Sequence, residues 1–340
     1  MDKHIQKRFQ ILALSGGGYR GLYTARILAD IEDEIGGPIA RHFDLLAGTS
    51  IGGILALALA LEIPAQQMVK LFEENGGAIF KKRFSLKGLL RSPYTQDHLK
   101  ALLSDDALFG NKLLGACRHP VIVPTISYST GEPVLFKTAH HSAFHRDHRH
   151  KLIDVGLATS AAPSYFPRHI FNNNQYIDGG MFANAPGLLG LHEAEHFFGR
   201  KIEEVYMLAI GTMSTKFTVD PRRNRSGGTL DWGGINPATT PKKLFGISIS
   251  VQESLSTYIL DHRLTKDRHF HIDDELTDER AKAVALDKAD KNAQEVLLGA
   301  ASERSKRCIA DARFRDFFEY KAPTPTFYHG ENASPKGESC

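Results

Sequence analysis

Residues 9–20 read FQILALSGGGYR and residues 43–53 read FDLLAGTSIGG. Each stretch is a short apolar run that ends in glycines, which is typical of a buried strand stopped by a turn. After each turn, apolar residues recur at helical spacing, over positions 22–35 and 54–61. The order strand, helix, strand, helix predicts an α/β fold with a parallel central sheet.

The second glycine turn carries a G-x-S-x-G motif, Gly48-Thr49-Ser50-Ile51-Gly52. An apolar segment precedes it and an apolar helix follows it, which is the context that a nucleophile elbow requires. The small residues Gly48 and Gly52 allow a sharp turn that projects the Ser50 hydroxyl, and the amino end of the helix offers free N–H groups. Ser50 is therefore the candidate nucleophile, although a bare G-x-S-x-G also arises by chance.

A candidate base follows another predicted strand end, at Asp178-Gly179-Gly180. An isolated Asp-Gly-Gly is usually only a turn. Beside an elbow serine, Gly179 and Gly180 would instead free the Asp178 carboxylate to point into a cleft, where it could activate the hydroxyl.

The first glycine turn, Gly16-Gly17-Gly18-Tyr19-Arg20-Gly21, allows two interpretations. It fits the dinucleotide fingerprint G-x-G-x-x-G, which would make the chain a nucleotide-binding regulator without chemistry. The ribose-binding acid of that fingerprint should end the second strand, however, whereas Asp44 begins it. The alternative, which we favour, is an oxyanion hole built from the backbone N–H groups of the turn.

A Ser-Asp-His triad is a further alternative, since the order Ser50, Asp178, His192 matches that of α/β-hydrolases. His192 lies in LHEAEHFFG, at helical spacing from His196. A partly exposed structural histidine explains that pattern better.

Composition excludes several classes of protein. The 340 residues carry a net charge of only +3, which argues against a nucleic acid polymer as partner. Three scattered cysteines form neither a disulfide framework nor a zinc site. The uncharged stretch at 45–61 is short for a bilayer span, and the polar start shows no signal peptide. We therefore expect a cytoplasmic protein.

Other segments predict structure or leave alternatives open. Residues 121–128 and 134–138 flank a turn and predict a hairpin, residues 205–210 predict a buried strand and residues 285–307 a helix. Residues 243–263 have helical periodicity that fits either core or an interface. Residues 321–340 are polar and proline-containing, so we expect a flexible tail.

Two clusters could contact a ligand or a membrane. Residues 72–93 mix apolar and basic side chains and predict a mobile flap or a membrane-docking segment; its apolar members are Phe80, Phe84, Leu86, Leu89 and Leu90. Residues 140–150 hold five histidines at spacings that match no standard metal site, so we predict a solvated loop near the mouth of the active site.

Together the motifs SGGGYRG, GTSIGG and DGG resemble those of the patatin-like phospholipases, over residues 9–213. The resemblance implies a three-layer α/β fold with a mainly parallel sheet, a helical extension at 214–320 packed on the same domain, and lipid ester hydrolysis by a Ser-Asp dyad without a cofactor or metal. It assigns Ser50 as nucleophile and Asp178 as base. It assigns the oxyanion loop to Gly16, Gly17, Gly18 and Gly21, steadied by Arg20.

Three longer stretches, ALSGGGYRGLYTARILADIE, LFKTAHH and LATSAAPSYFP, resemble the bacterial patatin-like effectors of cyclic-oligonucleotide anti-phage signalling (CBASS). That resemblance implies a phospholipase switched on by a cyclic dinucleotide such as cyclic GMP-AMP, acting on the inner face of the cell membrane; it leaves a homo-oligomer open. Arg222, Arg223 and Arg225 are candidate clamps for the activator's phosphates, with a plain basic surface loop as the alternative.

Overall fold

The computed structural model describes residues 8–83, 92–213, 240–276 and 283–334. Its first strand, β1 (Phe9–Leu14), is buried along its whole length, which explains the nearly continuous apolar run at these positions. The glycine-rich turn follows β1 directly and leads into a helix, as the sequence predicts.

One eight-stranded sheet organises the molecule. Its further strands are β2 (Leu45–Gly48), β3 (Val121–Ser127), β4 (Glu132–Lys137), β5 (His169–Phe171), β6 (Asn174–Asp178), β7 (Val205–Ile210) and β8 (His269–Ile272). The strand order is β5-β6-β3-β2-β1-β7-β8, with β4 also pairing with β3. The pairs β1–β2, β2–β3, β1–β7 and β7–β8 are parallel, whereas β4 and β6 run antiparallel to β3. The prediction of a mainly parallel sheet is confirmed.

Ten α-helices surround the sheet in the described part of the chain. They are α1 (Gly21–Ile35), α2 (Ile51–Ala60), α3 (Ala65–Ile79), α4 (Asp97–Leu103), α5 (Leu152–Thr159), α6 (Gly180–Ala183), α7 (Gly187–His196), α8 (Thr240–Arg263), α9 (Lys291–Ala310) and α10 (Ala312–Glu319). Among these helices, none is both long and apolar enough to cross a bilayer. The uncharged stretch at 45–61 forms β2 and α2 instead.

Two hydrophobic layers enclose the sheet. On one face, Leu12 and Leu14 of β1 pack with apolar residues of α1, α2, α3, α5 and α9. On the other face, Ile11 and Ala13 pack with residues of α7 and α8. Because successive residues of a strand point to opposite faces, β1 anchors both layers, and the predicted three-layer architecture is confirmed.

The C-terminal region is helical, but it also completes the sheet, since β8 pairs with β7 from residue Met207 onward. Residue 213 therefore does not separate a sheet-bearing core from a purely helical extension. The periodicity of residues 243–263 left open whether they belong to the core or to an interface. In the structure, Phe245, Ile249 and Leu260 of α8 pack inward. Its outward face exposes Leu244, Val251, Leu255 and Tyr258.

Residues 321–334 differ from the flexible tail that we expected, because they lie against the body of the protein. The N–H of Tyr328 donates to the carbonyl of Ala139 at 2.8 Å, and that of Glu331 to Gly115 at 3.1 Å. Phe327, which precedes Tyr328, is buried. Backbone hydrogen bonds and one buried ring fix this segment, and its composition gave no sign of either. Residues 335–340 lie outside the described residues.

Candidate active site

Ser50 occupies a sharp turn between β2 and α2, with φ 55° and ψ −125°. This left-handed backbone is unfavourable for a residue with a Cβ atom and costs of order 1–3 kcal/mol. The turn is tight enough that a Cβ atom on Gly48 would lie 2.2 Å from the carbonyl oxygen of Gly52, and one on Gly52 would lie 2.3 Å from that of Leu14. Glycine is therefore required at both flanking positions, as the elbow motif predicts.

Strand register brings the Ser50 turn to Asp178. β4 occupies one edge of β3, so β2 and β6 share its other edge: Ala47 of β2 pairs with Ile122, and Asp178 of β6 pairs with Thr125. β2 is parallel to β3 and β6 is antiparallel to it, so the two strands run toward each other. Their carboxyl ends meet, and this places residues 128 positions apart in contact.

Ser50 and Asp178 are joined by a short hydrogen bond, in which the Ser50 hydroxyl donates to Oδ2 of Asp178 at 2.6 Å. The other carboxylate oxygen accepts from the N–H of Gly180 at 2.7 Å. Only 2% of Asp178 is exposed. Burial raises the pKa of Asp178 to about 7, against the smaller lowering effect of these two hydrogen bonds. A carboxyl group with this pKa can act as a proton acceptor near neutral pH.

The first glycine turn supplies fewer free donors than the sequence suggests. The N–H of Gly16 donates to the carbonyl of Asn184 at 3.0 Å, and the N–H of Gly21 donates to the carbonyl of Gly18. Neither amide is therefore free for an oxyanion, which corrects that part of the prediction. The N–H groups of Gly17 and Gly18 meet no acceptor in the described part of the chain, and both residues line the cavity at Ser50.

Arg20 supports this turn from behind and does not line the cavity at Ser50. Its guanidinium is buried and donates to the carbonyl of Met213 at 2.9 Å. Burial lowers its pKa, opposed by the nearby carboxylates of Glu253 and Asp273. Arg20 therefore joins the glycine turn to the segment that follows β7.

Three further residues support the site, and the sequence analysis assigned none of them to it. The Asn184 side-chain amide donates to the Gly16 carbonyl at 3.1 Å and to Glu253 of α8 at 2.6 Å. The hydroxyl of Thr159, at the end of α5, accepts from the N–H of Ser50 at 2.9 Å. The segment TSAAP around Thr159 was a recognisable signal, whereas nothing local marks Asn184 or Glu253.

The space around Ser50 is narrow, with a cavity volume of about 40 Å³. Its apolar wall comes from three separate parts of the chain: Phe80 after α3, Tyr165 before β5, and Phe245 of α8. Leu286 covers the glycine turn, where its carbonyl accepts from the N–H of Tyr19 at 2.9 Å. A few waters fill such a volume, but a dinucleotide or an acyl chain does not fit. This argues against the dinucleotide fingerprint at the glycine turn.

Comparison with known protein families now gives a direct assignment. The family model described as patatin-like phospholipase matches residues 12–188, more than half of the chain, and this span contains Ser50 and Asp178. The chain belongs to the patatin-like phospholipases.

Curated relatives of this patatin-like phospholipase extend over almost its whole length. A protein of Pseudomonas aeruginosa named cGAMP-activated phospholipase is 43% identical, covering 98% of both chains. Proteins with the same name from Vibrio cholerae and Escherichia coli are each 32% identical; the first covers 94% of this chain and 97% of its own, the second 90% of each.

His192, the histidine of the alternative triad, lies on a surface helix of this patatin-like phospholipase. His192 is exposed on α7 and stacks on His196, with ring centroids 5.4 Å apart. Among the described residues, no histidine lines the cavity at Ser50. The Ser-Asp-His alternative therefore has no geometric support.

The cluster at 140–150 was predicted near the mouth of the active site, and this is wrong. His140 is buried beside Glu193, whose carboxylate also accepts from Lys137 at 2.6 Å. It borders a cavity that also contacts Asp44, which precedes β2, whereas Ser50 follows β2. No group of side chains within the described ranges could hold a metal ion.

Two predicted contact regions fall wholly or partly on residues that are not described. Arg222, Arg223 and Arg225 lie outside the described residues, as do residues 84–91 of the candidate docking segment. Phe80 of that segment turns inward and packs against Tyr19, Tyr94 and Phe166. It belongs to the wall of the active site, which corrects its assignment as a membrane contact.

Proposed function

We propose that this protein hydrolyses acyl esters of membrane phospholipids with Ser50 as nucleophile and Asp178 as general base, and that a cyclic dinucleotide such as cyclic GMP-AMP switches it on in anti-phage defence. The observation that carries the chemistry is the 2.6 Å hydrogen bond from the Ser50 hydroxyl to the buried Asp178 carboxylate. Family membership and relatives named cGAMP-activated phospholipase support the substrate class and the activator.

The reaction begins when Asp178 takes the Ser50 proton and the serine oxygen attacks the ester carbonyl carbon. The negative charge that forms on the carbonyl oxygen would be met by the N–H groups of Gly17 and Gly18, and loss of one such donor typically costs about 2.7–4 kcal/mol. The protonated Asp178 then gives its proton to the leaving lysophospholipid oxygen. An acyl-serine remains.

Water completes the cycle with the same two side chains. Asp178 removes a proton from the attacking water, a second tetrahedral intermediate forms, and the fatty acid leaves as the proton returns to Ser50. The pKa of Asp178, raised to about 7 by burial, suits both directions of transfer, because the group is neither too weak a base nor too weak an acid near neutral pH.

A volume of about 40 Å³ is too small for a phospholipid acyl chain, so the site would widen on activation. We propose that the activator favours a conformation in which the wall formed by Phe245 and Leu286 moves away from Ser50. We further propose that the opened site faces the inner surface of the cell membrane. The exposed cations Lys81, Lys82 and Arg83, which directly follow Phe80, would attract anionic headgroups there.

Fatty acid release from phosphatidylethanolamine–phosphatidylglycerol vesicles, with and without cyclic GMP-AMP, tests the proposal. Wild type should release fatty acid when the dinucleotide is present, Ser50→Ala and Asp178→Asn should abolish release, and His192→Ala should retain most of it. Activity that survives Ser50→Ala would refute the nucleophile assignment. Loss with His192→Ala but not with Asp178→Asn would favour a triad, and wild-type release that is indifferent to cyclic GMP-AMP would refute the activator alone.

A further inference from the structure

A second and larger cavity lies at the amino ends of the central strands, whereas Ser50 lies at their carboxyl ends. It is bordered by Phe9 at the start of β1, by Asp44 before β2 and by Pro120 before β3, whereas Ser50 follows the carboxyl end of β2. Its volume of about 350 Å³ is within the usual range of small-molecule sites. Catalysis at Ser50 and Asp178 makes no use of this space.

The roof of this cavity is the segment 323–328, which spans it between two tethers. The N–H of Ala322 donates to the carbonyl of Arg41 at 2.9 Å, and the N–H of Tyr328 donates to that of Ala139 at 2.8 Å. Thr324, Thr326 and Tyr328 face the cavity from this segment. Hydroxyl groups and one aromatic ring are thus held over the opening by a backbone that is fixed at both ends.

The cation Arg200 borders this cavity and is partly exposed. Nε of Arg200 is buried and has no hydrogen-bond acceptor among the residues that the structure describes, while the charge of the guanidinium acts on Asp44 and lowers the pKa of that carboxyl group against the larger effect of burial. The nearby Asp44 instead accepts from the N–H of Gln10 at 2.7 Å and from the Tyr320 hydroxyl at 2.9 Å. A guanidinium that borders an open cavity is best matched by a phosphate or carboxylate, through the N–H groups that remain accessible.

Aromatic side chains also line this cavity. His141 and Phe197 line the cavity with ring centroids 5.3 Å apart, and Tyr328 on the roof is 49% exposed. Arg200 itself lies over the ring of Phe9, 5.5 Å from its centroid. Aromatic side chains beside an arginine are the usual means of holding a base and its phosphate together, by stacking and charge-assisted hydrogen bonds.

We propose that this cavity binds the activating cyclic dinucleotide, with a phosphate on Arg200 and a base stacked on Tyr328. The inference rests on the proposed activation by cyclic GMP-AMP and assigns its site. It places the activator in a preformed cavity at the amino ends of the strands, at the opposite end of the sheet from the dyad, and it makes no use of the arginines at 222–225.

Calorimetric titration of the full chain with cyclic GMP-AMP tests the site directly, independently of hydrolysis. Arg200→Ala should weaken binding at least about tenfold, because a charge-assisted hydrogen bond contributes about 1.5–3 kcal/mol. Tyr328→Ala should weaken it by a similar factor, since base stacking contributes about 1–3 kcal/mol. The matched control is Arg307→Ala, which removes an exposed arginine on α9 and should bind like wild type. Melting temperatures without ligand establish that each variant is folded, and Arg200→Lys, which keeps the charge but not the planar fork, should bind with intermediate affinity.

Fatty acid release from the same vesicles separates this proposal from the one on which it rests. If Arg200→Ala loses both binding and stimulation while its melting temperature without ligand stays at the wild-type value, the site is supported. If Arg200→Ala and Tyr328→Ala bind like wild type, the cavity is not the activator site, although activation itself stands. Loss of binding only in an Arg222, Arg223 and Arg225 triple alanine variant would likewise overturn the site. If wild type neither binds nor responds to cyclic GMP-AMP, both the activator and its site fail, whereas hydrolysis by Ser50 is unaffected.

Discussion

Replacing Asp178 by asparagine should abolish hydrolysis and at the same time stabilise the protein at neutral and alkaline pH. Asparagine keeps the size of the side chain: its oxygen can accept from Gly180, and its amide can donate to the Ser50 hydroxyl. It removes only the buried charge. Burial raises the pKa of Asp178 from 3.8 to about 7. This difference of roughly three units corresponds to about 4 kcal/mol, at about 1.36 kcal/mol per unit.

The sign follows from which state holds the proton more tightly. The folded protein binds the Asp178 proton more strongly than the unfolded chain, so the neutral form contributes stability that is fully present below pH 3.8 and is lost as the pH rises toward 7. Above pH 7 the wild type carries the whole penalty. The Asp178→Asn variant carries none, so its advantage should grow by about 2–3 kcal/mol between pH 5 and pH 8.

Urea unfolding of both proteins at pH 5, 6, 7 and 8 measures this advantage. The matched control is Glu74→Gln, which removes one exposed carboxylate from α3 and leaves the dyad untouched. A difference between wild type and Asp178→Asn that stays constant over this range would refute the reasoning. Such a result would mean that the carboxylate is already solvated or compensated in the folded protein.

Three more predictions follow from the same geometry. The rate of hydrolysis should rise with pH through about 7, since only the ionised Asp178 can accept the Ser50 proton; a flat pH–rate profile over pH 5–9 would contradict this. Ser50→Gly and Ser50→Ala should both be inactive, but the glycine variant should be about 1 kcal/mol more stable in urea, because Ser50 has a φ of 55°. Phe245→Ala should increase the hydrolysis of a short-chain ester several-fold without activator, and it should lower the free energy of unfolding by about 3–5 kcal/mol. The control Leu244→Ala, at an exposed position, should change neither quantity much. An unchanged rate in Phe245→Ala would show that Phe245 does not limit access.

Much of the fold was predictable from local sequence patterns. A glycine turn after an apolar run marks the end of β1 and of β2, and the hairpin of β3 and β4 follows from its turn residues. β7 has the predicted bounds, Val205–Ile210. Such features depend on short-range sterics and on burial of both faces of a strand, and both leave a periodic pattern in the sequence.

Long-range packing explains what the sequence did not predict. The direction of Phe80 depends on three rings from distant segments, and the burial of His140 depends on Glu193 of α7. The N–H group of Gly16 donates to the carbonyl of Asn184, which lies 168 positions away in the sequence. A motif shows which residue types are present, whereas competition for a given N–H group is decided only when the chain folds.

Closure of the active site provides a means of regulation that leaves the dyad unchanged. Ser50 and Asp178 already share a hydrogen bond, and Phe245 and Leu286 line the narrow cavity beside them. Under the proposed function, this wall would limit the access of the ester to Ser50. If an open conformation has a population of about 1%, turnover falls about a hundredfold relative to a fully open enzyme. A ligand that binds the open conformation about a hundredfold more tightly can restore half of the molecules to that state. An activator at the opposite end of the sheet would therefore need to touch neither Ser50 nor Asp178, only to bind more strongly when α8 and Leu286 have moved.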